Sequence, residues 1–187
     1  MRYTLSRNEV SMAQTMQPEQ GSFLLQFLLP AVHNEHRTTR TVIEAIPTDK
    51  GDYRPDPAAK SAVELAWHIV AADQRFLSGI AAGQFDFNPI HQPETLQSSL
   101  GIAEWYAQSF AQNVERLAKM TGEQLVNMVD FRGIFQLPAV AFLEVAIRHA
   151  VHHRGQLSTY LRPMGGKVPA IYGESYDSAE AKKAAQA

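Results

Sequence analysis

Apolar side chains recur along this chain with the three-to-four residue spacing of helices. Between Glu19 and Ile46 the pattern is carried by Leu24, Phe27, Leu28, Ala31, Val42, Ile43 and Ile46. Pro30 falls inside it, which predicts a bend there or a helix that begins nearer the proline. Pro47 to Pro57 is rich in Pro, Gly and Asp and predicts a connection. Ser61 with Glu64 three residues later is a capping box. It opens a helix carrying Val63, Leu65, Ala66, Ile69, Val70 and Leu77 that closes near Gly83.

After Pro89 and Pro93, a third periodic stretch runs from about Glu94 to Met120, with Ile102, Trp105, Tyr106, Phe110, Val114 and Leu117 on one side. Residues 121–137 predict a turn of helix or a short hairpin. A fourth helix is expected from Pro138 to Pro163, since proline suits a first helical turn and Gly165-Gly166 a stop. Four helices of about 25 residues, each roughly 38 Å long, suffice to enclose one elongated core. The fold class predicted is all-α, a four-helix bundle. Residues 1–18 form an N-terminal extension, 19–173 the domain, and 174–187 a small, polar, flexible tail expected to fray.

Composition narrows the chemistry. With 187 residues, one domain is the expectation. Cysteine is absent, which removes disulfides, thiolate metal sites and cysteine nucleophiles together. Seventeen basic and nineteen acidic residues give a net charge of −2, the pI is near 6.4, and no basic stripe is present. Nucleic acid is therefore not an expected partner. No run approaches the ~20 apolar residues of a membrane span, and the first 20 residues lack the apolar core of a signal peptide. A cytoplasmic protein without membrane association is expected.

The seven histidines carry the most chemical information. His149 and His153 are spaced i, i+4, so both imidazoles project from one helix face, the spacing that offers two nitrogens to one metal ion. Phe142, Val145, Ala146, Leu157 and Tyr160 share that face, so it looks inward. A catalytic metal usually takes three protein ligands and keeps a position open. His68, set mid-helix among Leu65, Ala66, Ile69 and Val70, is the best third candidate. Each of these residues also has a plain structural reading as a hydrogen-bonded core histidine. His33, His36 and His91 are expected at the surface, although His33 and His36 would line the bundle if Pro30 turned the first helix. Glu64 is expected to be a cap and not a base. Gln156, three residues after His153, is a candidate partner for it.

The run His149-x-x-x-His153-Arg154-Gly155-Gln156-Leu157, followed by Tyr160-Leu161-Arg162, Gly165 and Pro169, resembles the closing signature of the DinB-like (YfiT-like) damage-inducible proteins. Ala45-Ile46-Pro47, Tyr53-Arg54-Pro55, Leu65-Ala66-x-His68 and Gly83-x-Phe85 extend the resemblance over about residues 20–173. It implies a bundle of up-down-down-up topology, a homodimer, and a divalent metal held by His68, His149 and His153. Three neutral imidazoles suit zinc, nickel, iron or copper; zinc or nickel is expected first. Such an ion activates a bound water or deprotonates a bound thiol. The family implied contains transferases and isomerases that use low-molecular-weight thiols, and here the thiol must come from a small-molecule substrate. The reading is a metal-dependent thiol S-transferase, with Arg154 and Gln156 as supporting or substrate-orienting residues. A hydrolase and a non-enzymatic stress-response protein with a structural metal are the alternatives.

Overall fold

The computed structural model describes residues 15–186. Most of the predicted extension, residues 1–14, lies outside the described residues. Helix α1 spans Pro18–Glu44, with proline at its first position and the Gln17 amide N–H donating to Gln20 Oε1 at 2.8 Å. It continues through Pro30 without interruption, contrary to the later start considered above. Pro30 is solvent-exposed, so water can satisfy the Gln26 carbonyl that the proline leaves without a donor.

Helix α2 (Ala62–Ala82) has the predicted ends. The Glu64 amide N–H donates to Ser61 Oγ, the Glu64 carboxylate accepts from the Ser61 amide, and Gly83 closes the helix at φ 69°. Helix α3 (Ser99–Leu117) starts five residues later than expected. Ser98 supplies the N-terminal cap by accepting from the Gly101 amide at 3.1 Å, whereas Pro93 to Leu96 form a turn closed by the Leu96 amide donating to the Pro93 carbonyl.

A one-turn helix, α4 (Gly122–Val126), leads into an antiparallel hairpin of β1 (Met128–Phe131) and β2 (Phe135–Pro138), paired Val129 with Leu137 and Phe131 with Phe135. Pro138 is the last residue of β2 and not the opening of a helix. A 3-10 turn (Ala139–Ala141) intervenes before α5, Phe142–Leu161. The tail also departs from expectation: Tyr176–Ala185 form helix α6. Asp177 ties its start down, accepting from the Val168 amide and from Arg162 Nε, each at 3.0 Å.

The molecule is mostly helical. Helix α2 packs on α5 and α3, and α1 packs on α3, α4 and α5. Gly21 allows α1 to approach α4, since a Cβ there would stand 2.8 Å from Val126 Cγ1. The core has two halves. One joins Val42, Ile43, Leu65, Ile69, Ile102, Tyr106 and Leu157; the other joins Leu77, Ile80, Phe110, Leu117, Phe142 and Leu143. Each fully buried Leu, Ile or Phe contributes about 1.5–3 kcal/mol relative to exposure. Among the described residues no helix is long and apolar enough to cross a membrane.

Candidate metal centre

The α2–α5 contact positions the chemistry. Leu65, Ala66, Ile69 and Val70 bury one face of α2, while Ala146, Ala150 and Leu157 bury one face of α5. The small residues Ala146 and Ala150 keep the facing side of α5 shallow, and the histidines line the seam where the two faces meet solvent. His68, His149 and His153 are all half-buried there, and one ligand nitrogen from each lies within 4.8 Å of the others. Ring centroids are 5.1 Å apart for His68–His149 and 4.5 Å for both His68–His153 and His149–His153. The three residues singled out in the sequence from two separate helices are thus brought together.

The donor chemistry fits a transition-metal ion. His153 Nδ1 lies 2.8 Å from Gln156 Oε1, and an amide oxygen only accepts. In the neutral ring this contact puts the proton on Nδ1 and leaves Nε2 with its lone pair. That Nε2 is 3.1 Å from His68 Nε2. Two nitrogens bound at about 2.05 Å to one ion stand about 3.3 Å apart in tetrahedral geometry and about 2.9 Å apart at right angles. The separation falls between the two, so little rearrangement would be needed to admit an ion.

Electrostatics favour the same state. Burial, then the neighbouring His153, His68 and His152, bring the His149 pKa down to about 4. Burial, the His153 imidazole and the Lys60 charge also lower that of His68. Both are neutral at physiological pH, the form that ligates metal. Phe76 packs its ring 5.9 Å from His149 and closes the inner side. His152 is exposed and flanks His153 without joining the cluster. No fourth His, Asp or Glu completes the group among the described residues. Glu64, one turn before His68, is held by Arg54 at 2.8 Å and by the Ser61 amide at 2.9 Å, and so acts as the predicted cap.

Arg154 and Gln156 part company. Gln156 meets His153, as above. Arg154 follows His153 in sequence but is turned towards α1, where it is almost completely buried. Its guanidinium pairs with Glu35 Oε2 at 2.6 Å and donates to Thr39 Oγ1 at 3.0 Å and to the Tyr172 hydroxyl, which in turn donates to Glu35. It joins α5, α1 and the segment after α5, and does not orient a substrate beside the histidines. His36 is another departure from the surface placement. Its ring stacks on Phe110 at 3.8 Å and leans on Tyr106 at 4.2 Å, and burial lowers its pKa to about 4. His33 and His91 are exposed as expected. Sequence reasoning also missed Asp73, fully buried on α2 with the Tyr106 hydroxyl donating to its Oδ2 at 2.6 Å. Burial raises its pKa to about 6. Asp73 lies five residues after His68 on the core side of α2, and only the unusual placement of an acid among apolar neighbours could have marked it.

A groove of about 470 Å³ borders His68. Trp67, Ala71 and Ile90 give it an apolar wall, and Lys60 and Arg75 stand along its length.

Comparison with known proteins identifies relatives in sequence and in fold. The chain is 32% identical over 133 residues to the uncharacterised protein YjoA of Bacillus subtilis (strain 168), covering 70% of this chain and 84% of that protein. It is 34% identical over 113 residues to the uncharacterised protein YrdA of the same strain, covering 58% of this chain and 64% of YrdA. The crystal structure of the DinB-like protein YjoA superposes with a TM-score of 0.64 at 28% identity, covering 76% of this chain and 96% of that one. A DinB-like protein from Bacillus cereus ATCC 10987 gives 0.68 at 28% identity, covering 79% and 97%. The sequence model of the DinB family matches residues 16–185, from just before α1 to the end of α6. The chain belongs to the DinB family.

Proposed function

We propose that this protein is a metal-dependent enzyme of thiol S-transferase type, with His68, His149 and His153 as the ligands of a divalent transition-metal ion. The observation that carries the proposal is the convergence of three imidazoles at a half-exposed seam, with no fourth protein ligand among the described residues. A zinc- or nickel-like ion held there supplies Lewis-acid chemistry, lowering the pKa of a thiol or water that it binds.

The chain's own residues have defined tasks. Gln156 holds the proton on His153 Nδ1, fixing the tautomer that presents Nε2. Phe76 excludes water from the inner side of His149. Trp67 and Ile90 offer apolar surface to the body of a substrate. The absence of cysteine means that the thiol enters from solution.

Thiol transfer is favoured over hydrolysis by the carboxylates. Hydrolysis gains from a free general base beside the attacking water. Glu64, the acid lining the groove, is engaged by Arg54 and Ser61, and Asp73 is sealed in the core against Tyr106. A thiol needs no such base once its pKa has been lowered. We extend the proposal to an up-down-down-up arrangement of α1, α2, α3 and α5 and to a cytoplasmic assembly of two copies, which sedimentation would test.

The functional test is conjugation of a small thiol to an electrophile by metal-loaded protein, followed by mass spectrometry. His153→Ala should abolish conjugation while leaving the helical circular dichroism unchanged. Equal turnover by that variant would refute the proposal, and ester or amide cleavage without added thiol would replace it with hydrolysis.

A further inference from the structure

The groove beside His68 has a charge distribution that the metal reading does not use. Glu64, His68, Ala72 and Arg75 follow one another along one side of α2, with Lys60 just before its N-cap, and all of them line the groove. Arg75 lies about 20 Å along the helix axis from the first residue of α2, Ala62, with Lys60 just before that start and His68 between the two cations. Neither cation is in an ion pair among the described residues. Arg75 is half-buried and held in place, donating Nε to the Asp86 carbonyl at 2.9 Å and Nη2 to the Asn88 carbonyl at 2.6 Å. Backbone carbonyls fix the guanidinium without neutralising it, and its Nη1 edge is uncommitted. The acid in the groove, Glu64, is neutralised by Arg54. The groove therefore presents two cations outside any ion pair, joined by an apolar floor of Trp67, Ala71 and Ile90.

We propose that this groove binds an elongated small molecule with a carboxylate at each end, one anchored by Lys60 and the other by Arg75, so that its middle passes His68. The exposed Lys60 side chain shortens the gap, since it can fold roughly one helical turn inward, whereas Arg75 is fixed by its loop carbonyls. What remains matches a chain of roughly eight to twelve atoms between the two anionic groups, the size of a short peptide. At the half-buried Arg75 the attraction for a charged end exceeds that in open water, Lys60 meets the other end at an exposed position, and the connecting chain buries apolar area on Trp67. The placing of the molecule's middle as the reacting part rests on the metal-dependent function proposed above. The recognition of its two ends does not.

Trp67 provides the readout. Its indole lines the groove, packs 4.9 Å from Trp105 and donates Nε1–H to the Ile90 carbonyl at 3.0 Å. Fluorescence titration of the full chain with decanedioate, octanoate and 1,10-decanediol separates the contributions of charge and chain. Decanedioate should bind at least tenfold more tightly than octanoate, and the diol should not bind measurably. Lys60→Gln and Arg75→Gln should each bring decanedioate down to the octanoate level. Arg75→Lys, which keeps the charge but loses the bonds to Asp86 and Asn88, should retain most of the affinity and so separates charge recognition from loop support.

The same titration on His149→Ala/His153→Ala protein should still show binding, because the anchors lie outside the histidine cluster. Equal affinity for the mono- and dicarboxylate, or unchanged affinity in both glutamine variants, would overturn the proposal. So would binding that disappears only with the histidines, since the carboxylate would then be going to the metal. Metal content measured on the same samples tests the metal reading separately: loss of either result leaves the other standing.

Discussion

Two pairs of helical histidines, equally rich in aromatic surroundings, have opposite fates in this molecule. His149 and His153 on α5 meet His68 across the α2 seam with their nitrogens converging. His33 and His36 on α1 border a larger hollow, about 860 Å³, with Phe110 between their rings. There His36 stacks its face on Phe110 and His33 meets it edge-on, and His36 Nε2 is buried with no hydrogen-bond partner. Both groups contain a histidine whose pKa is brought to about 4 by burial. Neutrality is thus shared, and it is nitrogen direction that separates a ligand set from packing. The size of a hollow is a poorer guide to chemistry than the convergence of lone pairs.

Breaking the strut between the two regions should have the largest effect. Arg154 is buried beside His153 but pairs with Glu35 next to His36. Arg154→Ala should cost about 3–5 kcal/mol by leaving the Glu35 charge uncompensated, seen as a large fall in the thermal midpoint. Protein that remains folded should still bind metal, because the guanidinium does not touch the cluster. A loss of metal without a loss of stability would contradict this division of labour.

Asp73 sharpens the α1 side of the comparison. Its carboxyl is held near pH 6 in the fold, against about 3.8 when unfolded. The folded state keeps the proton more tightly, so this group's contribution weakens as pH rises from about 4 through 6. Asp73→Asn should therefore stabilise the protein by up to about 3 kcal/mol at neutral pH, with the gain vanishing below pH 4. Denaturant titrations of both proteins at pH 4.5 and 7.5 would measure it; an equal difference at the two pH values would be inconsistent with a buried, protonating Asp73.

On the α5 side, Gln156→Leu should weaken metal affinity about 10- to 100-fold by releasing the His153 tautomer. Competition with a chelator would report this, and wild-type affinity would mean that the contact orients nothing. The smallest effect belongs to His36→Phe. The ring already stacks as an apolar group, so stability at pH 7.5 should shift by less than about 1 kcal/mol and metal content should not change. The difference should appear in acid. A pKa lowered from 6.5 to about 4 means that wild-type stability drains as pH falls between those values, and the variant should lose less over that window.

What could be seen in the sequence was local. Ser61, Glu64 and Gly83 are short-range signals, and both ends of α2 fall where they predict. The i, i+4 pair and the apolar flanks of His68 identified a set that the fold does bring together. The misreadings arose where local signals competed or tertiary contacts decided. Pro138 is compatible with a helix start but closes β2, because the hairpin register pairs it with Met128. Ser98 outcompetes Glu94 as the start of α3 through its side-chain cap. The polar tail becomes α6 with Asp177 pinned to Val168 and Arg162, contacts that composition does not reveal. The Arg154–Glu35 pair spans 119 positions, and the stacking of His36 on Phe110 spans 74, so neither leaves a short-range trace.

The most direct test of the central claim is metal stoichiometry. Elemental mass spectrometry of untagged protein, purified without chelator and then supplied with zinc or nickel, should find about one ion per chain. The His149→Ala/His153→Ala variant should be folded by circular dichroism and empty. No uptake by the wild type, or equal uptake by the double variant, would contradict the assignment of His68, His149 and His153 as a metal centre.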